Sequence, residues 1–114
     1  MMRNMSFMLT KKQMYNRTKG VTRRLGWWFL KPGDLVMSCE KCQGLKKGER
    51  IKRIYPIRII EAGGEELNTI TKAEVIKEGF PEMTPMDFIE MFMREMKCQE
   101  DELVNRIAFI EEKE

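Results

Sequence analysis

The stretch that decides the fold reads RTKGVTRRLGWWFLKPGD and covers residues 17–34. It places several cations, two hydroxyls and three consecutive aromatic side chains between turns that contain glycine. If 21–25 is a strand, side chains alternate between its faces, so Thr22 and Arg24 point the same way and Arg23 points the other way. Lys19 stands just before this strand, in a loop from which its amine can reach either face. The pattern fits an edge strand that charge protects from aggregation, and it fits equally a strand that faces a ligand.

The aromatic run Trp27-Trp28-Phe29 cannot place all of its rings on one side of the chain, so we expect two buried rings and one exposed ring. An exposed ring beside cations is typical of a surface on which nucleobases stack, and we assign that role to Trp27. Residues 30–34 then predict a tight turn, with proline at its second position and glycine at its third, that leads into a strand over 35–39.

Length and composition indicate one folded domain over residues 1–114. Charged residues make up 34% and hydrophobic residues 42% of the chain, which is typical of soluble folded proteins and not of disordered ones. No apolar run approaches the roughly 18 residues that cross a bilayer, and the first residues lack the hydrophobic region of a signal peptide. We therefore expect a cytoplasmic protein that does not bind a membrane.

Three cysteines, Cys39, Cys42 and Cys98, are an odd number in a chain without histidine. An odd count argues against a secreted disulfide framework and favours a reducing compartment. Cys39 and Cys42 form a CxxC motif, but no second pair follows it to complete a zinc site. No metal or other cofactor is expected.

The net charge of +3 conceals an asymmetry, since residues 1–58 carry +12 and the remainder carries −9. A basic half suggests a face directed at phosphates. Alternatively, the two halves interleave in the fold and their charges cancel. Within the basic half, the polar loop 43–50 contains Lys46 and Lys47 between two glycines, which suits either a phosphate contact or a solvated hairpin tip.

The order of elements predicts an α+β fold, a small mixed barrel with two to three helices packed at its ends. Strands are expected over 6–9, 21–25, 35–39, 50–60 and 103–110. Pro56 marks a bulge or an edge in the fourth of these strands, and the glycine pair in 62–66 predicts a turn. Helices are expected from a Thr10 cap to about residue 17, from Thr71 to about residue 78, and from Thr84 onward.

The motif Lys19-x-x-Thr22-x-Arg24, the Leu-Lys-Pro-Gly-Asp turn and the later Glu78-Gly79-Phe80 together resemble the ASCH domain of the PUA-like superfamily. The fuller run over 18–27, with Glu40-Lys41 and 44–49, resembles a phage and prophage branch of that family. The resemblance covers nearly the whole chain. It implies a PUA-like barrel and a cleft between barrel and helices that binds nucleic acid or a nucleotide-like ligand.

Some ASCH members hydrolyse the amide of acetylated cytidine with a lysine, a threonine three residues later and a glutamate from the later helical region. Lys19, Thr22 and Glu78 match these positions, and Arg24 matches the arginine of the motif. Thr22 would attack the acyl carbon, Lys19 would act as the base in a dry cleft, and Glu78 would position water or the amine. Glu74 lies close enough in sequence to be an alternative acid.

Two functions therefore remain open at the level of sequence. The first is a module that binds RNA, another nucleic acid or a modified nucleoside, and the second is an amidohydrolase of acylated cytidine. The predicted nucleic-acid contacts are Lys19, Arg23, Arg24, Trp27, Lys41, Lys46 and Lys47. Binding is favoured because the basic residues extend well beyond the motif, and a small nucleoside has no phosphates to use them.

Overall fold

The computed structural model describes residues 2–113. Its strands are β1 (Arg3–Ser6), β2 (Val21–Arg24), β3 (Leu35–Cys39), β4 (Arg53–Glu66) and β5 (Leu103–Glu111). Its helices are α1 (Lys11–Tyr15), α2 (Lys72–Lys77) and α3 (Pro85–Met96), with short 3-10 turns at Met8–Thr10 and Leu67–Thr69. In this described part, no helix combines the length and the apolar character needed to cross a membrane.

The five strands form one mixed sheet in the order β1-β3-β4-β5-β2. β1 and β3 pair in parallel, and the other neighbours pair antiparallel. The central β4 is 14 residues long, and its register shifts against both β3 and β5. Such irregularities bend a strand, and the sheet accordingly curls into a half-barrel with three short helices. The predicted α+β architecture is confirmed.

β4 differs from the sequence prediction at its second half, because Gly63 and Gly64 lie inside the strand and pair with β5. The predicted turn at 62–66 is wrong. A side chain at Gly64 would have its Cβ 3.3 Å from Leu103 and 3.5 Å from the Trp28 ring, so the missing side chain makes room for these two. Pro56 lies opposite Met37, beside the register shift with β3, where the sequence places a bulge.

The first strand is β1 and not the predicted 6–9, because the chain turns at Phe7, whose side chain is buried. Thr10 precedes α1 but makes no capping hydrogen bond through its side chain. The other two caps are confirmed. Thr71 accepts a hydrogen bond from the Glu74 amide at the start of α2, and Thr84 and Asp87 form a reciprocal capping box at the start of α3.

Most of the buried apolar residues form two clusters. One lies between the sheet and α1 and contains Met5, Phe7, Met14, Val36, Ile57, Ile59, Ile107 and Phe109, with Leu30 and Tyr55. The other lies beneath α2 and α3 and contains Leu67, Ile70, Val75, Phe80, Phe88, Ile89, Phe92 and Val104. A cleft opens where these two clusters meet.

Candidate functional site

This cleft is a cavity of about 330 Å³ with an apolar wall and a polar end. The apolar wall consists of Phe7, Met8, Leu9, Phe80, Phe88, Met91, Phe92 and Met96. The polar end includes Lys19, Thr22, Arg24 and Glu78. The structure thus brings the four motif residues together around one cavity. Of the two candidate acids, Glu78 lines the cavity and Glu74 does not.

The position of Lys19 is fixed by backbone hydrogen bonds between the loop before β2 and two helices. The Thr18 amide donates to the carbonyl of Gln13 at 2.9 Å, and the Gly20 amide donates to the carbonyl of Lys77 at 2.9 Å. Gly79 follows Glu78 with a φ of +102°, and a Cβ there would lie 2.8 Å from Cγ of Gln13. A glycine is therefore needed at position 79, where the chain leaves α2 and runs beside Lys19.

Lys19 and Glu78 form a buried ion pair at the polar end of the cavity. The Lys19 Nζ donates to Glu78 Oε1 at 2.7 Å and to the Glu78 backbone carbonyl at 2.9 Å. Their side chains are only 3% and 4% exposed. Burial lowers the pKa of Lys19, and the neighbouring Glu78 charge opposes that shift without cancelling it.

Arg24 and Thr22 contact each other on the same side of β2, as strand alternation predicts. The Arg24 Nε donates to Thr22 Oγ1 at 3.0 Å, and the guanidinium lies 4.7 Å from the centre of the Phe7 ring. Burial lowers the pKa of Arg24 to about 10, which leaves it charged at neutral pH. Within residues 2–113 its two terminal nitrogens have no hydrogen-bond partner, so they remain free to bind a ligand.

Arg23 does not have the exposed position expected of a phosphate contact. Its side chain is 0% exposed and forms ion pairs with Glu65, Glu74 and Glu78 at 2.9, 2.8 and 3.0 Å. Because carboxylates already occupy its guanidinium, we remove Arg23 from the set of nucleic-acid contacts.

The aromatic run is arranged differently from the prediction. Trp28 and Phe29 are about half exposed, and Trp27 is the ring that packs against the core and against Phe29. Trp27 has a left-handed backbone with φ +63°. Asn105 stabilises this turn, since its Nδ2 donates to the carbonyls of Gly26 and Trp27. Trp27 is therefore not an exposed stacking ring.

The predicted loop contacts lie outside the cavity. Lys46 and Lys47 are exposed and Lys41 is half-buried, all between β3 and β4. This loop begins close to the cleft, because Cys42 is near enough to Arg24 to affect its pKa. The loop lysines can therefore contact only parts of a ligand that extend out of the cavity.

The cysteines are free. Burial raises the pKa of Cys39 to about 11, so this thiol is not a ready nucleophile. In the part of the chain that the structure describes, no three His, Cys, Asp or Glu side chains are grouped to hold a metal ion.

The basic and acidic halves of the chain interleave in the fold. Arg17 pairs with Glu111 and Arg58 pairs with Glu112, in addition to the pairs that Lys19 and Arg23 form with acids of the second half. Part of the basic excess of residues 1–58 is thus neutralised internally, which was the alternative left open by the sequence.

A second cleft of about 670 Å³ lies next to Lys19. Arg17, Tyr55, Lys77 and Glu111 are among its lining residues. The Arg17 side chain lies over the Tyr55 ring and is held by Glu111. Lys19 lines both clefts.

Sequence reasoning missed two parts of the site. The first is the apolar wall from α3, and the stripe of Phe88, Met91 and Phe92 was the signal that could have identified it. The ion pairs that connect Arg106 to Glu61 and Glu74 join residues at least 32 positions apart. No local pattern in the sequence identifies such pairs.

No family model and no curated protein sequence matches the chain. The solved structures that are similar to this chain include the following two. An ASCH domain from Lactobacillus crispatus JV V101 is 17% identical, with a TM-score of 0.65 over 95% of this chain and 77% of that one. A protein of family DUF984 from Enterococcus faecalis V583 is 14% identical, with a TM-score of 0.60 over 86% of this chain and 66% of that one. The predicted ASCH fold is confirmed, and the resemblance to phage proteins stays a prediction.

Proposed function

We propose that this chain, which has the fold of an ASCH domain, is a nucleic-acid-binding module that holds one nucleobase in the cleft beside Thr22 and Arg24. The observation that carries the proposal is an apolar cavity of about 330 Å³ whose polar end combines the Glu78 carboxylate with hydrogen-bond donors. Cavities of this size hold small molecules. An aromatic side chain in the wall, such as Phe80, suits the face of an unstacked base.

The donors and the acceptor at the polar end match the edge of a cytosine-type base. Such a base carries an exocyclic amine beside ring acceptors, and acidic side chains accept hydrogen bonds from that amine. Glu78 is the acceptor for the amine. The terminal nitrogens of Arg24 are the donors for the neighbouring acceptors, because arginine presents paired donors in a fixed plane.

The loop between β3 and β4 supports binding of a polymer and not only of a nucleoside. Within residues 2–113, Lys41, Lys46 and Lys47 form no ion pairs, in contrast to Lys19 and Arg23. Unpaired lysines attract phosphates. We assign the phosphates on either side of the bound base to this loop.

The test is calorimetric titration of the purified protein with cytidine, uridine and a short cytidine-containing RNA. We expect cytidine to bind more tightly than uridine, and Arg24→Met to weaken cytidine binding at least tenfold. Arg58→Met is the matched control, since Arg58 pairs with Glu112 and does not line the cavity. Absence of binding of both cytidine and the RNA at low salt would refute the module.

A second function, hydrolysis of acylated cytidine, is supported by one specific observation. Lys19, Thr22 and Glu78 line one cavity, and burial lowers the pKa of Lys19 towards the range of a base. In this reaction Lys19 must first lose the proton that it holds in its ion pair with Glu78, and its neutral amine then takes the proton of Thr22 as the Thr22 oxygen attacks the acyl carbon. The nucleoside leaves as its free amine after accepting a proton, and water then cleaves the threonine ester to release the carboxylic acid.

Incubation with acetylated cytidine, followed by chromatography, separates the two functions. The binding module predicts no release of cytidine. Hydrolysis predicts release by the wild type and none by Lys19→Met or Thr22→Ala, which remove the base and the nucleophile. For the module, Thr22→Ala should change RNA affinity little, because cations and not hydroxyls dominate phosphate contacts.

A further inference from the structure

The Glu78 carboxylate is held at both of its oxygens. Lys19 donates to Oε1 at 2.7 Å and Arg23 donates to Oε2 at 3.0 Å. A carboxylate with one cation at each oxygen cannot rotate without breaking a charge-assisted hydrogen bond. Lys19 alone would fix one oxygen, so Arg23 determines the plane of the group that faces the cavity.

The Arg23 guanidinium is in turn held by two further carboxylates, in addition to Glu78. Its Nη2 donates to Glu65 at 2.9 Å and to Glu74 at 2.8 Å. Glu74 receives two hydrogen bonds from Arg106, at 2.5 and 3.2 Å, and Arg106 also donates to the exposed Glu61 at 3.1 Å. Alternating charges therefore run from the surface of β4 through β5, α2 and β2 to the cavity.

We propose that Arg23 is a positioning residue of the cleft, which holds the Glu78 carboxylate toward the ligand and takes its own orientation from Glu65 and Glu74. This role rests on the proposed function, in which Glu78 accepts a hydrogen bond from the base. Arginine suits the position because its planar fork binds three carboxylates at once, whereas the single ammonium of a lysine cannot reproduce that geometry.

The first experiment measures cytidine affinity by calorimetry in wild type, Arg23→Met and Arg23→Lys, each shown by circular dichroism to be folded at the working temperature. We expect Arg23→Met to weaken binding at least tenfold and Arg23→Lys to recover part of the loss. Arg58→Met removes a paired arginine that, unlike Arg23, does not line the cleft, and this variant should bind as wild type does. Equal affinity in wild type and Arg23→Met would overturn the positioning role.

A second variant covers the case in which Arg23→Met does not fold, because that substitution leaves three carboxylates without their shared partner. Glu74→Gln keeps the shape of the side chain and removes the charge on the far side of Arg23. We expect it to weaken cytidine binding two- to fivefold. An affinity equal to that of wild type would contradict the inference that Glu74 orients Arg23.

A third readout needs no ligand. Burial is the main cause that lowers the pKa of Lys19; among the charged groups that act on it, Glu78 raises this pKa, and Arg24 and Arg23 lower it further by smaller amounts. The NMR titration midpoint of the Lys19 Cε should therefore rise in Arg23→Met and return in Arg23→Lys, which a purely structural role would not produce. If wild type fails to bind cytidine, the proposed function is wrong. The titration midpoint of Lys19 still tests whether Arg23 acts on the Lys19–Glu78 pair, and an unchanged midpoint in Arg23→Met would show that it does not.

Discussion

Replacement of Lys19 by methionine is the most direct test of how strongly the ion pair under the cleft contributes to folding. Methionine retains much of the length of the side chain and removes its charge. The Lys19 and Glu78 side chains are 3% and 4% exposed, so the carboxylate cannot turn to water when its partner is removed. Removing one partner of a buried pair costs about 3–5 kcal/mol. Glu78 keeps its hydrogen bond from Arg23, which places the expected loss at about 3 kcal/mol.

A loss of this size is large for a small domain, whose whole free energy of unfolding is about 5–15 kcal/mol. It corresponds to a fall in melting temperature of roughly 10–15 °C for a chain of this length. Urea denaturation at pH 7, followed by circular dichroism, measures the free energy of unfolding of wild type, Lys19→Met, Glu78→Gln and the double variant. Since the two groups contact each other, the double variant should be about 1–3 kcal/mol more stable than the sum of the single losses predicts.

The reasoning would be refuted by a loss below about 1 kcal/mol in Lys19→Met, or by single losses that simply add. Lys31→Met is the control. It removes the lysine of an exposed pair with Asp34, and its urea midpoint should equal that of wild type.

Three further predictions concern acid stability, backbone conformation and salt dependence. Hydrogen bonds from Arg106 hold the pKa of Glu74 at about 2, below its ordinary 4.5. The Glu74 charge therefore adds roughly 3 kcal/mol of stability above pH 4.5, and this contribution is lost as the pH falls towards 2. In Glu74→Gln the free energy of unfolding should therefore depend less on pH over that range. Gly79→Ala should cost at least 1–2 kcal/mol by urea denaturation, since the residue has φ +102° and a methyl group would meet Gln13. Replacing Lys46 and Lys47 with alanine should reduce the slope of log affinity for RNA against log salt by about 1.4–1.8, as measured by fluorescence anisotropy.

Each of these predictions has an outcome that would contradict it, and the last two also have a matched control variant. Acid unfolding that is identical in Glu74→Gln and wild type would show that this carboxylate does not control the transition. Gly63→Ala adds a methyl group where no atom lies within 4 Å and should be well tolerated, so equal losses at Gly63 and Gly79 would contradict the backbone argument. Arginine at positions 46 and 47 keeps the charge and should keep the salt slope, whereas an unchanged slope in the alanine variant would exclude the loop from the interface.

Local signals in the sequence predicted the parts of the fold that local chemistry determines. The Pro32-Gly33 turn predicted β3 with its observed bounds, because Gly33 supplies the positive φ that a type II turn requires. Thr71 and Thr84 predicted the starts of α2 and α3 because a hydroxyl cap is read from adjacent residues. Side chains alternate between the two faces of a strand, and this local rule placed Thr22 and Arg24 on the same side of β2.

The misplaced features depend on contacts distant in sequence. Gly63 and Gly64 suggested a turn because glycine favours turns, yet here they allow Leu103 and Trp28 to pack across the sheet. The exposure of the aromatic run is set by Asn105, nearly eighty residues away. Arg23 resembled a surface cation because its three acidic partners are distant in sequence: Glu65 comes from β4, Glu74 from the first turn of α2 and Glu78 from the residue after α2.

The presence of Lys19 in the lining of two cavities affects how its variants are interpreted. The clefts measure about 330 Å³ and about 670 Å³, and shortening the Lys19 side chain to alanine would open space towards both of them. Water would then reach Glu78 from the side of Tyr55, and the dry environment that lowers the pKa of the amine would be lost together with the amine itself. Loss of function in Lys19→Ala would therefore combine two effects, the entry of water and the loss of the ammonium group. Lys19→Met separates them, because it removes the charge and keeps much of the side chain.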